Sequence, residues 1–539
     1  MLQILRRYKA QIALSLSTLV VLFCFLGTAE WLARRYGPRF HRHPLSADYI
    51  RFLKENALPL FRIKAIGGKP YLVQNDIIWK WEKHQVLPLD KPADVRRILI
   101  AGESSADGLG VALAQEIESG PSPKRYEVIN CAVGGADLEI IARRFQECMN
   151  YSPDAVIFLF GHNLYYCHPI VPPFLLRVVL WTRKSALLSD LGFFEKPRSA
   201  YEDAERWRVL ETFIDTMAKE TRARGIPLML VTVPSNLWAQ PRQSSNRHGD
   251  DPAYLETLYD YQTGNRRQAI SLLTQASNDH ASALWHFTLG TWLYREGAWR
   301  KAYAQLILAR DLDPARMRAS SAVNTVIRAS AARDGALLLD AEQIIEEQSP
   351  HGIPDWRDFT DCQHVTRRNF FELAHLCALQ LEVKGWTGLA GPYRRQPYSP
   401  APLQYQEIAD SFYVIPRSDP SGWRTFSYFA QQHLAQLAPQ ADSLFSRAFP
   451  DAKKRAAAFL GLAQALWRAG NRGEARVENE KARRLADGWD APDMQSGFFD
   501  LQEHRRQKAL EDFRRALKTE PNDVRALFFI YKLEHKYSS

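Results

Sequence analysis

RILIAGESSADG, residues 97–108, begins as an apolar run and stops abruptly at Gly-Glu-Ser-Ser. The apolar residues are β-formers without polar alternation, which is typical of a strand buried on both faces of a parallel sheet. Gly102 permits a tight turn, and a helix is predicted to begin near Ser104 or Ser105. A serine at this turn lies at the carboxyl edge of the sheet, where it serves either as a helix cap or as a nucleophile.

Four further apolar runs follow at intervals that leave room for helices. They predict strands at residues 126–130, 155–160, 227–233 and 336–340. Strands that alternate with helices form a parallel, doubly wound sheet, so the predicted fold class is α/β with a flavodoxin-like sheet. In such a sheet the loops after the strands gather at one edge and build the site.

The composition excludes several classes of protein. The 539 residues suffice for roughly two to four domains, and 46% hydrophobic with 24% charged residues is typical of a globular protein. The net charge of +10 comes from 70 basic and 60 acidic residues that are dispersed along the chain, so nucleic-acid binding is not predicted. The sequence has no metal-ligand spacing and no phosphate-cradling glycine loop, so neither a metal nor a cofactor is predicted.

Six cysteines occur, and none forms a CxxC pair or a cluster with zinc spacing. Disulfides among them remain an open alternative, because the spacing gives no framework, and the redox compartment is therefore undecided. Cys131 and Cys362 lie beside the motifs described below. We interpret both as small apolar fillers rather than reactive thiols.

The N-terminus carries a candidate membrane anchor. Residues 12–29 are uncharged and follow Arg6, Arg7 and Lys9, and the run approaches the roughly 20 residues that span a bilayer. A cleavable signal peptide and a buried helix are the alternatives, but the run is long for a signal peptide and no Ala-x-Ala site closes it. We expect a single-pass anchor with Trp31 at the interface and the catalytic domain outside the cytoplasm.

Two regions repeat small residues at the spacing of helical hairpins. Gly264, Ala269 and Ala276 recur thirty-three residues later, and Ala475 and Ala482 recur thirty-four residues later. Small residues at these places let paired helices approach closely and stack, and the pattern resembles tetratricopeptide repeats. The alternative is an alanine-rich helical region whose spacing arises by chance.

These features predict the domain organisation. An anchor and a stalk or lead-in precede an α/β domain, which is interrupted by one set of repeats and followed by another. The predicted boundaries are 1–35 for the anchor, 36–94 for the stalk or lead-in, 95–249 and 334–390 for the α/β domain, 250–333 for the inserted helices, 391–450 for a linker with helices, and 451–539 for the C-terminal repeats.

Four short motifs occur in order, each after a strand or in a late loop. They are Gly102-Glu103-Ser104 with Gly108, Gly135 after Asn130, Gly161-His162-Asn163, and Asp361-Cys362-Gln363-His364. Together they resemble the SGNH (GDSL-type) hydrolase family, and the chain is similar to membrane-anchored members that carry tetratricopeptide-like helices. Two positions depart from that family: Glu103 replaces its Asp, and Leu164 stands where many members have Glu.

The residue types predict nucleophilic acyl chemistry. His364 is the expected base that takes the proton of Ser104, and Asp361 is expected to hold the other ring N–H. The expected oxyanion donors are the backbone N–H groups of Ser104 and Gly135 and the side-chain amide of Asn163. Replacing Ser104 or His364 by Ala is therefore expected to abolish most ester hydrolysis.

Neighbouring polar residues receive lesser roles. Glu103 is expected to structure the turn, Ser105 to cap the helix, and His162 to pack or hydrogen-bond locally. Asp358 competes with Asp361 as the partner of the base, although its spacing fits less well.

The resemblance implies a membrane-anchored serine esterase or lipase that cleaves carboxylic esters through an acyl-enzyme. Acyl transfer or deacetylation on a glycan is the first alternative, and a catalytically idle repeat scaffold tethered to the membrane is the second. The expected partners are an acyl ester (a lipid or an acylated glycan), the membrane through residues 12–29, and a protein segment on the repeat helices. Neither nucleic acid nor a cofactor is expected.

Overall fold

A computed structural model describes most of the chain. The described residues are 21–36, 57–75, 85–119, 125–165, 188, 206–241, 251–279, 282–355, 357–383, 438–448, 451–468, 470–486 and 488–535. Residues 12–20 of the predicted anchor, 37–56 of the predicted lead-in and 391–437 of the predicted linker lie outside these ranges.

Eight strands and seventeen helices are used below, all within the described ranges. The strands are β1 Phe61–Ile66, β2 Lys69–Gln74, β3 Val86–Pro88, β4 Val95–Gly102, β5 Arg125–Asn130, β6 Ala155–Leu159, β7 Leu228–Val231 and β8 Leu337–Leu339. The helices are α1 (residues 21–36), α2 Ser104–Ser119, α3 Leu138–Cys148, α4 Arg206–Ala223, α5 Pro252–Gln262, α6 Arg266–Asp279, α7 Ala283–Arg295, α8 Trp299–Asp311, α9 Ser321–Asp334, α10 Ala341–Gln348, α11 Arg367–Val383, α12 Ala441–Ala448, α13 Ala452–Arg468, α14 Arg472–Leu485, α15 Ala491–Gln502, α16 Arg506–Thr519 and α17 Val524–His535.

A five-stranded parallel sheet in the order β5-β4-β6-β7-β8 forms the centre of the α/β domain. β4 pairs in parallel with β5 on one side and with β6 on the other, which is the strand reversal of a flavodoxin-like sheet. Ile98, Leu99 and Ile100 are fully buried, because helices pack on both faces of the sheet. The predicted parallel, doubly wound sheet and its five strands are confirmed.

Helix α9 belongs to the α/β domain and not to the insertion. It packs against α4 and β7, and its residues Val323 and Ile327 lie in the main core. The predicted boundary of the insertion, 250–333, is therefore corrected: the inserted hairpins end with α8. The sequence of α9 is rich in small residues like that of the inserted helices, so composition alone could not separate the two.

The turn between β4 and α2 requires glycine. Gly102 has a φ of 151°, and a Cβ at this position would overlap the carbonyl oxygen of Leu159 on β6. Gly108 lies about one helical turn after Ser104, and a Cβ on it would lie 2.6 Å from the ring of Phe370 on α11. Because both places are closely packed, the first turn of α2 and Ser104 are held against β6 and α11.

Residues 36–94 contain more than the predicted stalk or lead-in. β1, β2 and β3 form an antiparallel sheet that packs against the α/β domain. The fully buried guanidinium of Arg97 on β4 links the two sheets, because it donates to the carbonyl of Pro88 and to the carboxylate of Glu127. These strands are short and separated by turns, so they leave no sustained periodicity in the sequence.

Four helical hairpins lie among the described residues: α5–α6 and α7–α8 in the insertion, and α13–α14 and α15–α16 near the C-terminus. α5 contacts α15 and α17, so the inserted and C-terminal hairpins pack together. A Cβ on Gly290 would lie 2.8 Å from Leu306, and a Cβ on Gly497 would lie 2.5 Å from the ring of Phe513. Glycine thus permits close helix contact, while membership of the tetratricopeptide family stays a prediction.

Helix α1 presents large apolar side chains to solvent. Val21, Phe23 and Phe25 are each more than two thirds exposed. Within the described part of the chain, no helix combines the length and apolarity that a membrane span needs. The single-pass anchor at residues 12–29 stays a prediction, since its first half lies outside the described residues.

Candidate active site

The loops that follow the central strands approach one another at the carboxyl edge of the sheet. Ser104 is the first residue of α2 after β4, the Gly135 turn follows β5, Asn163 follows β6, and His364 lies just before α11. Strand pairing in parallel register brings these chain segments to the same edge.

Ser104, His364 and Asp361 form a hydrogen-bonded chain. Ser104 Oγ lies 2.7 Å from His364 Nε2, and His364 Nδ1 lies 2.5 Å from Asp361 Oδ2. Because a carboxylate only accepts, the Nδ1–H donates to Asp361, which leaves Nε2 as the acceptor for the Ser104 hydroxyl. The structure thus brings together three of the residues that the motifs single out, from segments 260 residues apart.

The Asp-x-x-His spacing is explained by a tight turn. Asp361 Oδ1 accepts from the backbone N–H of Gln363 at 2.6 Å and of His364 at 2.7 Å. The backbone N–H of Thr360 also donates to the His364 carbonyl at 2.9 Å, which closes the loop. Asp361 therefore holds the backbone with one oxygen and the imidazole with the other.

Asp361 and His364 shift each other's pKa in opposite directions. Burial disfavours the charged form of both groups, but the negative charge and hydrogen bond of Asp361 outweigh it and raise the pKa of His364 above its usual value. In return, His364 and two backbone N–H groups overcome burial and lower the pKa of Asp361. Asp361 therefore stays ionised while His364 titrates above its ordinary pKa.

The turn after β5 lies beside Ser104. The Ala136 N–H donates to the Val133 carbonyl at 3.2 Å, and Gly135 between them has a φ of 72°, as the third residue of a type II turn requires. A Cβ on Gly134 would lie 3.9 Å from the Cβ of Ser104. Gly134 therefore lies in van der Waals range of Ser104.

Glu103 holds the loop that carries Asn163. Its fully buried carboxylate accepts three consecutive backbone N–H groups, from Gly161 at 3.2 Å, His162 at 2.8 Å and Asn163 at 2.8 Å. Burial raises the pKa of Glu103 to about 7, against the lowering effect of these N–H groups. The sequence predicts a role within its own turn, whereas the contacts reach the loop after the neighbouring strand.

His162 makes long-range hydrogen bonds rather than the expected local ones. Its ring is buried, with Nδ1 3.0 Å from the N–H of Ala319 and Nε2 3.1 Å from the carbonyl of Gln363. Burial lowers the pKa of His162 to about 3, so this ring stays neutral.

Arg206 is a buried residue of the site region that the motifs do not reveal. Its guanidinium makes a bidentate pair with Glu139 on α3, at 2.8 and 3.0 Å, and Nε donates to the Leu164 carbonyl at 3.0 Å. It therefore ties the helix after the Gly135 turn to the residue after Asn163. Arg206 stands in an ordinary amphipathic helix, so the sequence gives no signal of this role.

Ser105 and Asp358 lie near the site but outside its hydrogen-bonded chain. The Ser105 hydroxyl is buried and has no hydrogen-bond partner among the described residues, so it does not cap α2. Asp358 accepts from the hydroxyl of Ser349 at 2.8 Å, and the described contacts give it no bond to His364.

Cys131 and Cys148 form a disulfide. The bridge joins the end of β5 to the end of α3 and closes a loop that contains the Gly135 turn. The interpretation of Cys131 as a small apolar filler is therefore wrong. The spacing of the two cysteines in the sequence carries no signal of their pairing. Cys362 is half-buried against the core of the helical hairpins.

Fold and geometry define an α/β protein with a serine–histidine–aspartate triad at the carboxyl edge of a parallel sheet. Within the described ranges, no group of three or more His, Cys, Asp or Glu residues is arranged to hold a metal ion.

Comparisons with known proteins add weak similarities. No protein-family model and no curated protein matches the chain. A lipase/acylhydrolase structure from Enterococcus faecalis is 14% identical, covering 55% of this chain and 100% of its own, with a TM-score of 0.26. A GDSL-like lipase structure from Bacteroides thetaiotaomicron VPI-5482 is 12% identical, covering 55% and 93%, with a TM-score of 0.29. At these values the assignment of chemistry depends on the geometry of the site.

Proposed function

We propose that this protein is a serine hydrolase that cleaves carboxylic ester bonds through an acyl-enzyme. The observation that carries the proposal is the unbroken chain from the Ser104 hydroxyl to His364 at 2.7 Å and on to Asp361 at 2.5 Å. A serine hydroxyl becomes a useful nucleophile only when a base accepts its proton, and this arrangement supplies the base with its orienting carboxylate.

In the first step, the Ser104 oxygen attacks the ester carbonyl carbon while His364 Nε2 takes the hydroxyl proton. The negative charge that develops on the carbonyl oxygen is stabilised by the backbone N–H groups of Ser104 and Gly135 and by the Asn163 amide. The tetrahedral intermediate then collapses, the alcohol leaves with the proton from His364, and the acyl group stays on Ser104.

In the second step, a water molecule attacks the acyl carbon and gives its proton to His364. The carboxylic acid leaves, and His364 returns the proton to Ser104. Replacing water by a sugar hydroxyl would convert the same acyl-enzyme into a glycan acyltransferase, so acceptor specificity is the point that separates these two activities.

The proposal includes a membrane anchor at residues 12–29 and a catalytic domain outside the cytoplasm. Two observations support it: α1 includes residues 21–29 of this segment and exposes Phe23 and Phe25, and the Cys131–Cys148 disulfide suits an oxidising compartment. We further propose that the helical hairpins are tetratricopeptide-like and bind a protein segment, since their glycines pack the helices as closely as such repeats require.

Labelling with a fluorophosphonate probe tests the proposal, because the probe reacts with an activated serine and with little else. The wild-type chain, Ser104→Ala and Ser105→Ala are each treated with the probe and assayed on p-nitrophenyl esters of graded chain length. Ser105→Ala is the matched control, since it removes the adjacent hydroxyl, which has no hydrogen-bond partner among the described residues.

We expect labelling and turnover in the wild type and in Ser105→Ala, and a loss of about 10⁶-fold in turnover in Ser104→Ala. Product analysis with an added sugar acceptor then separates hydrolysis from acyl transfer. If the wild-type chain takes up no label and cleaves no ester, the hydrolase proposal fails and a repeat scaffold remains.

A further inference from the structure

The imidazole of His162 is bonded on both sides to backbone groups from distant parts of the chain. Nδ1 lies 3.0 Å from the backbone N of Ala319, and Nε2 lies 3.1 Å from the backbone O of Gln363. The ring is 1% exposed, so water does not compete for either bond.

The two partners fix the tautomer of His162. A backbone N–H can only donate, so Nδ1 must be the unprotonated nitrogen that accepts from Ala319. Nε2 therefore carries the proton and donates it to the carbonyl of Gln363. Protonation of Nδ1 would set two donors against each other, which agrees with the lowered pKa of this buried ring.

The Gln363 carbonyl belongs to the peptide unit whose N–H is that of His364. That N–H donates to Asp361 Oδ1 at 2.7 Å, while the carbonyl on the other side accepts from His162. One peptide plane is thus held from both sides, and this plane sets the position of the His364 Cα. A rotation of the plane would move the imidazole relative to both Ser104 and Asp361.

Ala319, which donates to Nδ1 of His162, lies in the segment that connects the inserted hairpins to α9. In this segment, the Met317 carbonyl accepts from the Gln363 side chain, and Arg318 donates to the Asn236 carbonyl at 2.8 Å. The Asn236 side chain in turn donates to the Asp361 carbonyl at 3.1 Å. Residues 317–319 therefore contact the Asp361–His364 loop through three separate routes.

We propose that His162 is a positioning residue for His364, and that it ties the Asp361–His364 loop to residues 317–319 at the end of the helical insertion. The proposal rests on the hydrolase function above. It makes residues 317–319, and not the hairpins before them, a part of the active-site framework, because this segment supports the loop that carries the base.

Three substitutions separate the two hydrogen bonds of the ring. His162→Leu removes both bonds, His162→Asn keeps an acceptor near the Nδ1 position for Ala319, and His162→Gln keeps a donor near the Nε2 position for Gln363. His286→Leu is the matched control, since His286 is also buried and bonded, at 2.6 Å to Gln305, but lies within the α7–α8 hairpin.

The measurement is the pH profile of the fluorophosphonate labelling rate at Ser104, with each rate referred to the fraction of protein that labels to completion. This normalisation removes molecules that fail to fold. The titratable groups that act on His364 include Asp361, Glu103 and Asp107, and none of the substitutions removes them, so the titration of Glu103, whose pKa is about 7, is common to every variant. His162 is neutral at working pH, so a shift of the profile reports a changed geometry.

We expect His162→Leu and His162→Asn to label about 10–100-fold more slowly. The acid limb of the pH profile, where the rate falls as His364 is protonated, should move to lower pH, because a looser contact with Asp361 raises the pKa of His364 less. His162→Gln should regain most of the rate and the position of the limb, and His286→Leu should match the wild type. The proposal is overturned if all His162 variants keep the wild-type rate and limb, or if Gln is no better than Leu. A wild-type protein that does not label would instead refute the hydrolase function.

Discussion

The carboxyl edge of the sheet and the helical hairpins are both closely packed, but different contacts hold them. At the sheet edge, buried polar side chains serve several backbone groups at once: Glu103 accepts three N–H groups, and His162 bonds on both sides of its ring. In the hairpins the glycines pack against apolar side chains, with Gly290 against Leu306 and Gly497 against Phe513, and the buried hydrogen bonds there, such as that of Gln464 to Gln495, link helix to helix rather than loop to loop.

This difference has a physical consequence. Hydrogen bonds depend on angle, so a network of buried ones fixes the orientation of each loop at the sheet edge. Apolar packing depends mainly on volume, and it tolerates rearrangement as long as the volume is kept. Substitutions at the edge should therefore change catalysis, whereas substitutions in the hairpins should change stability and leave the chemistry as it is.

Among the substitutions that test this comparison, the largest effect is expected for Asp361→Asn, which breaks the orientation of the base. An asparagine has one acceptor oxygen, which the backbone N–H groups of Gln363 and His364 occupy, so its NH₂ group faces Nδ1 and the imidazole loses its tautomer and its position. We expect kcat/KM to fall by about 10⁴-fold. The base must be neutral to take a proton, so the rate falls as pH drops through the raised pKa of His364. Without the Asp361 carboxylate, burial has the larger effect and lowers the pKa of His364, so the acid limb of the pH profile moves to lower pH. Ester hydrolysis followed across pH measures both effects.

Asp358→Asn is the matched control for this substitution. It makes the same change in the same loop, but Asp358 bonds to Ser349 and not to His364. The acid limb should therefore stay where it is in the wild type. Equal losses in the two variants would show that the loop as a whole, and not the Asp361 carboxylate, determines the rate.

A smaller effect is expected for Glu103→Gln, which changes the support of one oxyanion donor. The side chain keeps its size, but its NH₂ group would face a backbone N–H, so Asn163 or its neighbours lose an acceptor. Loss of one oxyanion donor costs about 10²–10³-fold in kcat, and displacement of Asn163 should approach the lower value. KM should change little, because the donor acts on the tetrahedral intermediate.

Glu116→Gln provides the comparison on the same helix. Glu116 lies about three helical turns beyond Ser104 on α2 and bonds to His375 on α11 at 2.8 Å. Its kcat should equal that of the wild type. A rise in KM without a change in kcat for Glu103→Gln would contradict the assigned role, since that pattern indicates lost substrate binding.

The elements that the sequence predicted correctly share one property: their signal is local. The run at residues 98–101 is apolar, continuous and followed by glycine, and these features alone predict a buried strand and a tight turn. The Asp361 to His364 spacing is also local, because one carboxylate folds back over three residues.

The contacts that the sequence could not predict join distant segments. Glu103 bonds to a loop 58–60 residues away, and His162 bonds to a carbonyl 201 residues away. No periodicity or short motif encodes such a pairing, because each partner is an ordinary backbone group. The Cys131–Cys148 disulfide and the Arg206–Glu139 pair join side chains, but no motif or spacing in the sequence indicates either pairing.

The smallest effect is expected in the hairpins, for Gly497→Ala. The new Cβ would lie 2.5 Å from the Phe513 ring, and an aromatic ring packed between helices α15, α16 and α17 has little room to move. Overpacking costs about 1–3 kcal/mol, and the better helix propensity of alanine returns up to about 1 kcal/mol. We therefore expect a net loss of about 1 kcal/mol, measured as faster hydrogen exchange in α15 and α16, with kcat on a short ester unchanged.

Gly473→Ala sharpens this test, because it makes the same change on α14 where no atom lies within 4 Å of the new Cβ. Here only helix propensity acts, so the variant should be more stable by about 0.5–1 kcal/mol. Opposite signs for the two glycines would establish that contact distance, and not glycine content, sets the stability of the hairpins. If Gly497→Ala instead lowered kcat as Glu103→Gln is expected to do, the division between a catalytic edge and a structural helical region would not hold, because strain in α15 would then reach the triad.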